Sequence, residues 1–339
     1  MRGVRFWVCA VIPAMVLAAV AARAAEPPTY PEDLFMGEYR GSGVMAAAGS
    51  PVQVEAKVWP VRDGYRAAIL DPSGGRIELE GKVEDGNLAL AGAAGDVRWN
   101  ATLADGKLSA ESTAGAKLDL EAYVRTSPTL GAKPPPGAVV LLPFEEGKPS
   151  SLAAWTNDTW QALSDGSMMK GKGNNQTKRS FGSVRLHLEF LTPYEPAGAG
   201  QGRGNSGVYF QGKYEVQVLD SFGLVAKKDD CGAIYGVAPP KVNACLPPLR
   251  WQTYDITFTA PEVRADGQVE KPARMTVVHN GLTIHEDQAV GGTTRSGLPG
   301  KAADVGPLML QDHGHAVRYR NIWLVETGDD AGGGAGDLE

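Results

Sequence analysis

Along most of this chain apolar and polar residues alternate with a period of two, the mark of strands that turn one face inward. Through the first third the pattern runs over Val52 to Val58, Tyr65 to Leu70, Arg76 to Glu80, Val97 to Leu103 and Lys117 to Val124. Asp63-Gly64, Asp85-Gly86 and Asp105-Gly106 fall among these runs at intervals of about 20 residues. Asp-Gly readily supplies the left-handed backbone of a two-residue hairpin. Residues 26–125 therefore predict a small antiparallel β-meander, barrel-like or a curved sheet. It arranges no acids, histidines or cysteines usefully, so it reads as an accessory or scaffold domain, with ligand binding as the second option.

Residues 126–137 contain SPTLGAKPPPG, whose three consecutive prolines predict a stiff, extended linker. Beyond it the strands become longer and more aromatic. Candidates are Val139 to Phe144, Phe181 to Leu191, Ser206 to Gln211, Tyr214 to Leu219, Trp251 to Thr259, Ala273 to His279, Leu282 to Glu286, Leu308 to Asp312 and Val317 to Glu326. Asn280-Gly281 marks a hairpin turn between two of them. About nine strands with almost no helical period predict an all-β fold, with a two-sheet jelly-roll sandwich over 138–327. The glycine- and acid-rich residues 328–339 read as a disordered tail.

Composition adds the compartment. Arg2 and Arg5 precede an apolar run from Phe6 to Val20, and Ala22-Arg23-Ala24 follows as a cleavage pattern, so residues 1–25 predict a signal peptide cut near Ala24 or Ala25. The expected destination is the periplasm or the exterior. Losing Arg2, Arg5 and Arg23 moves the formal net charge of the 339-residue chain from −6 to −9. Such a protein has no bulk electrostatic attraction for nucleic acid or anionic membrane, and no later segment is apolar enough to span a bilayer. Of three cysteines, Cys231 and Cys245 would remain, and an oxidising compartment predicts a disulfide between them.

Two nucleotide-binding patterns carry no chemistry here. Gly202, Gly204 and Gly207 fit G-x-G-x-x-G but lead into a strand, so no helix N-terminus is available for a pyrophosphate. Gly166 to Gly173 resembles a P-loop but ends in glycine where Ser or Thr should bind magnesium.

The chemistry gathers in GNSGVYFQGKYEVQVLDSFG, Gly204 to Gly223. Glu215 and Gln217 alternate with Tyr214, Val216 and Val218, so one face is apolar and the other presents a carboxylate and an amide. Tyr209 and Gln211 on the preceding strand share the polar register, and Asp220 lies just beyond. A solvated surface strand could have this pattern; a ligand face is the sharper reading. Gln311 and His313 share a face at a later strand end beside Gly314, whereas His279 and His285, flanking a hairpin turn, read as surface residues. An ordinary glycosidase needs two carboxylates about 5–9.5 Å apart. Two positions beyond Glu215 stands Gln217, and Asp220 has the wrong parity unless the strand bends.

Four ordered blocks together carry a family likeness: Gly204 to Gly223, CGAIYGVAPPKVNACLPP from Cys231, RWQTYDITFTAP from Arg250, and GPLMLQDHGHAVRYRNIWL from Gly306. They resemble the 3-keto-disaccharide hydrolase domain, over about residues 139–326. The resemblance implies a concanavalin-like jelly roll with sugar chemistry on its concave sheet, acting on glycosides already oxidised to a ketone at C3. A sugar 3-oxidoreductase must then supply the substrate. The ketone acidifies the C2 proton, so one base can start an elimination that expels the C1 aglycone before water adds back. On that reading Glu215 is base or metal ligand, and Gln211 and Gln217 position hydroxyls. Asp220 and His313 are candidates for the second proton-transfer group or for ligating a divalent metal. Arg318 and Arg320 polarise the ketone or pair with Asp312, and Tyr209 and Gln311 complete the binding face. A non-catalytic carbohydrate-binding module and an ordinary glycosidase are the alternatives.

Overall fold

The computed structural model describes residues 24–328; all but the last two residues of the expected leader and most of the tail lie outside them. The first domain is a closed antiparallel barrel of eight strands in sequential order, from Gly37–Val44 to Lys117–Tyr123. Along Lys107–Ser112 and Lys117–Tyr123 exposure alternates residue by residue, with Leu108, Ala110, Leu118 and Leu120 inside. The Asp-Gly turns at 85–86 and 105–106 adopt left-handed angles at both residues, φ 49° and 82°, then 48° and 73°. The first strand closes on the last through glycines: a Cβ at Gly41 or Gly43 would overlap the Asp119 or Lys117 carbonyl oxygen.

The second domain is a sandwich of two antiparallel sheets. The larger runs Gln161–Ala162, Met168–Met169, Arg318–Glu326, Val184–Leu191, Gln252–Thr259, Ala273–His279, Leu282–Val290, and Val139–Leu142 joins beside Arg318–Glu326. The smaller runs Asn175–Phe181, Gly306–Leu310, Ser206–Phe210, Tyr214–Val218. Between them lies the core, where Phe210 stacks on Phe258 at 4.8 Å between ring centres. The expected single strand from Phe181 to Leu191 is two strands, because the chain crosses between sheets at Gly182-Ser183.

The linker is not a free spacer. Ser127 Oγ lies 2.6 Å from Thr253 Oγ1, Thr129 Oγ1 donates to Asp255 (2.6 Å), and Gly131 N donates to Glu189 (2.7 Å). These contacts fasten it across the outer face of the large sheet. The barrel also packs on the sandwich. Buried Glu38 holds Arg125 (3.1 Å), whose guanidinium donates to the Ala244 and Cys245 carbonyls, while Arg203 of the sandwich donates to Pro60 O (2.8 Å).

Several expectations need correction. Cys231 and Cys245 are free, buried thiols that hydrogen-bond each other instead of forming a disulfide. Each has a second polar partner, Tyr254 OH for Cys231 (3.3 Å) and Leu246 O for Cys245 (3.4 Å). His279 and His285 are buried, not surface residues: their hairpin packs inward, with Nε2 of each in hydrogen-bond contact with Gln252 Oε1 (3.0 Å) and Gly232 O (2.8 Å). Burial, reinforced by nearby Arg125, lowers the His279 pKa to about 3. Among the described residues, no helix is long and apolar enough to cross a membrane.

Candidate active site

The apolar face of Tyr214–Val218 meets the core, and its polar face is buried too. Loops cover it. Residues 232–235 lie along its edge, where Gly232 N donates to Gln217 O (2.9 Å) and Tyr235 N to Glu215 O (3.2 Å). The loop around the 3-10 turn Gly200–Gly202, the segment 291–305 and the Gln311–His313 strand end supply the other walls. Together they enclose a pocket of about 340 Å³ over Glu215, Gln217 and Tyr209.

Tyr209 sits directly across the ladder from Glu215. Its hydroxyl interacts with the Glu215 carboxyl, donates to Arg295 O (3.1 Å) and accepts from Gln311 Nε2 (3.0 Å). Gln217, its amide nitrogen turned to the carboxylate, donates to Glu215 Oε1 (2.9 Å) and Ser206 O (3.1 Å). The carboxylate occupies the space above Gly207, where a Cβ would overlap its oxygen and crowd the Tyr209 ring. Only glycine leaves room there. Glu215 is 2% exposed, and burial pushes its pKa up to about 8, against the lowering effect of the Tyr209 hydrogen bond. A carboxyl held near neutrality is suited to taking a proton and giving it back.

Gln311 and His313 both line the pocket. Gln311 is fixed through its backbone: its N donates to Gly207 O (3.0 Å) and its O accepts from Ser206 Oγ (2.6 Å). The His313 ring stacks on His315 at 6.1 Å, and His315 Nδ1 lies 2.6 Å from Glu195 Oε2.

Other expected site residues go elsewhere. Gln211 falls in the turn after Phe210 with φ 53°, which breaks the alternation; its Nε2 donates to Asp304 O (2.9 Å). Asp220, at an odd offset from Glu215, turns away to Arg203 (2.6 Å). Burial raises its pKa while that guanidinium pulls it back. Arg318 pairs with Asp165 (2.7 Å) and Arg320 with Glu189 (2.6 Å), both beside Trp251, and Asp312 pairs with Lys170 (3.0 Å). Glu215, Asp220 and His313 therefore do not converge as a ligand set, and no group of three metal-binding side chains gathers among the described residues. Sequence reasoning missed Gln201, Asn205, Arg295 and Ser296, which also line the pocket. All four lie on loops, where the only signal was flanking glycine.

An all-β sandwich carries a polar pocket on its smaller sheet, floored by a carboxylate and amides, and its family match and 35%-identical neighbour make it a carbohydrate-active enzyme. Residues 137–325, more than half the chain, match the 3-keto-alpha-glucoside-1,2-lyase-like domain, and the chain belongs to that family. A protein of Parabacteroides distasonis ATCC 8503, described as a candidate glycosyl hydrolase, is 35% identical over 57% of this chain and 85% of its own, with a TM-score of 0.52. A second from the same organism, described likewise, is 17% identical over 52% of this chain and 90% of its own, with a TM-score of 0.38. Comparison with curated protein sequences returned no match.

Proposed function

We propose that this protein cleaves 3-keto-glycosides, including 3-keto-disaccharides, by elimination followed by hydration. One observation carries the reading. Glu215 is the one carboxylate lining the pocket among the described residues, and its proton affinity is set near neutrality. Two-carboxylate hydrolysis lacks its second acid here. A single base is enough when the substrate already bears a ketone at C3.

Glu215 takes the proton from C2, and the C2–H electrons form the enolate of the C3 ketone. The enolate collapses as the C1–O bond breaks, leaving a C1=C2 double bond conjugated to the ketone. The departing aglycone oxygen takes a proton, for which His313 at the pocket wall is the candidate donor. Water then adds its hydroxyl to C1 while its remaining proton restores the donor at His313, and Glu215 returns the proton to C2. Gln217 and Gln311 hold the carboxylate and Tyr209 in place and offer hydrogen bonds to sugar hydroxyls.

The reading includes export, after cleavage near Ala24 or Ala25. It also includes an oxidation at the C3 hydroxyl, by a separate oxidoreductase, that supplies the substrate. Glu26, the first residue beyond the expected leader, accepts from Ser164 Oγ (2.6 Å), which places the start of the cleaved chain against the sandwich. The test is incubation of the purified protein with a 3-keto-glucoside and with its unoxidised parent, with and without chelator. Aglycone release from the keto substrate alone, abolished in folded Glu215→Gln, is expected. Equal release from the unoxidised glycoside would establish an ordinary glycosidase, and binding without release a carbohydrate-binding module; unaltered turnover by Glu215→Gln would remove Glu215 from its role.

A further inference from the structure

The segment 291–305, GGTTRSGLPGKAADV, crosses the mouth of the pocket. Six contacts tie it to the hairpin that carries Tyr209 and Glu215. Thr294 donates from both N and Oγ1 to Lys213 O (2.9 Å each), and Glu215 N donates to Thr294 Oγ1 (3.1 Å). Leu298 N donates to Gly212 O (2.7 Å), Tyr209 OH to Arg295 O (3.1 Å), and Gln211 Nε2 to Asp304 O (2.9 Å).

Lys213 adds a clamp. It is 7% exposed and has no carboxylate partner among the described residues, and its ammonium donates to the Leu298, Pro299 and Gly300 carbonyls at 2.9, 3.3 and 3.1 Å. A buried charge without hydrogen bonds would be costly, so these carbonyls hold the loop and the lysine together. Ser296 sits at φ 64°, a conformation non-glycine residues seldom adopt outside constrained sites. The backbone on either side of Arg295 is therefore fixed by several independent contacts.

The Arg295 side chain is different. It is exposed, lines the pocket and has no hydrogen-bond or ion-pair partner among the described residues. Arg203, Arg318 and Arg320 are each paired with a carboxylate. Arg295 also leaves Glu215 alone: burial and Tyr209 account for the proton affinity of that carboxyl. A cation paired with the base would have weakened it.

We infer that Arg295 is the catalytic cation of this site, placed by its clamped loop to receive the oxygen anion that forms at C3 of the substrate. This inference rests on the 3-keto reading above. Deprotonation at C2 moves an electron pair onto the C3 oxygen, and a guanidinium with free N–H donors stabilises that charge in the transition state more than in the neutral ketone. The neutral amides of Gln201, Asn205 and Gln217 orient hydroxyls but carry no charge to offset it. His313, the other group that can carry positive charge, serves the leaving aglycone.

The experiment uses the full chain and a nitrophenyl 3-keto-glucoside in D2O, following hydrogen exchange at C2 by NMR and nitrophenolate release by absorbance. Arg295→Ala is expected to lower kcat for both about 100- to 1,000-fold with little effect on KM. Arg295→Lys should recover part of each rate, and both variants should melt like wild type because the side chain is exposed. Unchanged exchange in Arg295→Ala would overturn the assignment, as would a loss confined to KM, which would mark Arg295 as an aglycone contact. If wild-type protein gives neither exchange nor release, the 3-keto reading itself fails and this inference with it. Exchange and release by wild type, with no effect of the arginine, defeats only the role of Arg295.

Discussion

Replacing Glu215 by Gln is expected to abolish turnover and at the same time stabilise the protein, by an amount that grows with pH. The folded carboxyl has a pKa of about 8 against 4.5 for an unperturbed glutamate. The sign follows from where the proton is bound. A raised pKa means that the folded state holds its proton between those values while the unfolded state has released it. Wild-type stability therefore falls as pH rises from 4.5 towards 8 and levels off above. Linkage puts the penalty at about 1 kcal/mol at pH 5, about 3 kcal/mol at pH 7 and about 5 kcal/mol well above pH 8. Gln carries no ionisable proton, so the variant lacks the whole pH-dependent part. Urea unfolding of both proteins at pH 5, 6, 7 and 8 isolates it, because every other titrating group cancels in the difference. A difference that is flat across this range, or that moves in favour of wild type as pH rises, would refute the raised proton affinity and the base assignment built on it.

With proton removal at C2 limiting, the same pKa of about 8 makes kcat/KM rise roughly tenfold per pH unit below it and flatten above, read from initial rates at substrate concentrations below KM. Gly207→Ala places a Cβ on the Glu215 carboxylate oxygen and against the Tyr209 ring, so turnover should fall at least about tenfold, with a stability loss of only about 1–3 kcal/mol by urea unfolding. Arg203→Ala leaves Asp220 buried and unpaired and removes the donor to Pro60 O; a loss of about 3–5 kcal/mol is expected in denaturant melts, with turnover per folded molecule retained. Asp220→Asn should likewise affect stability and not kcat; a selective loss of kcat would return Asp220 to the chemistry.

The parts of the fold legible from alternation are those where it coincides with composition. Val52–Val61 and Lys117–Tyr123 are rich in branched or long apolar residues at every second position, and Asp85-Gly86 and Asp105-Gly106 end their strands in left-handed pairs. Gly37–Val44 and Asn87–Ala94 were not legible: the first is interrupted by glycine and polar residues and the second is half alanine, so their strand character comes from neighbours in the barrel. Between Phe181 and Val184 the apolar pattern continues while the chain changes sheets, because both ends serve the same core. Asn280-Gly281 forms the expected turn, with φ 51° and 81°, yet turn chemistry says nothing of what covers it; Asn280 is 5% exposed and donates to Ala244 O (3.0 Å).

The site divides along a similar line. A strand gives each residue a parity, and parity brought Tyr209, Glu215 and Gln217 to one surface while sending Asp220 to Arg203. Gln211 shows how fast that information decays, since one left-handed residue removes it from the row. Loops confer no parity. Arg295 and Arg318 are both arginines near glycine in the sequence, and nothing in their spacing tells which is paired. The difference lies in contacts remote along the chain: Asp165 meets Arg318, whereas Lys213 and Thr294 fix the backbone beside Arg295 and no acid among the described residues meets its side chain. A residue free to meet substrate is defined by the partners it lacks, and such a lack leaves no mark in the local sequence.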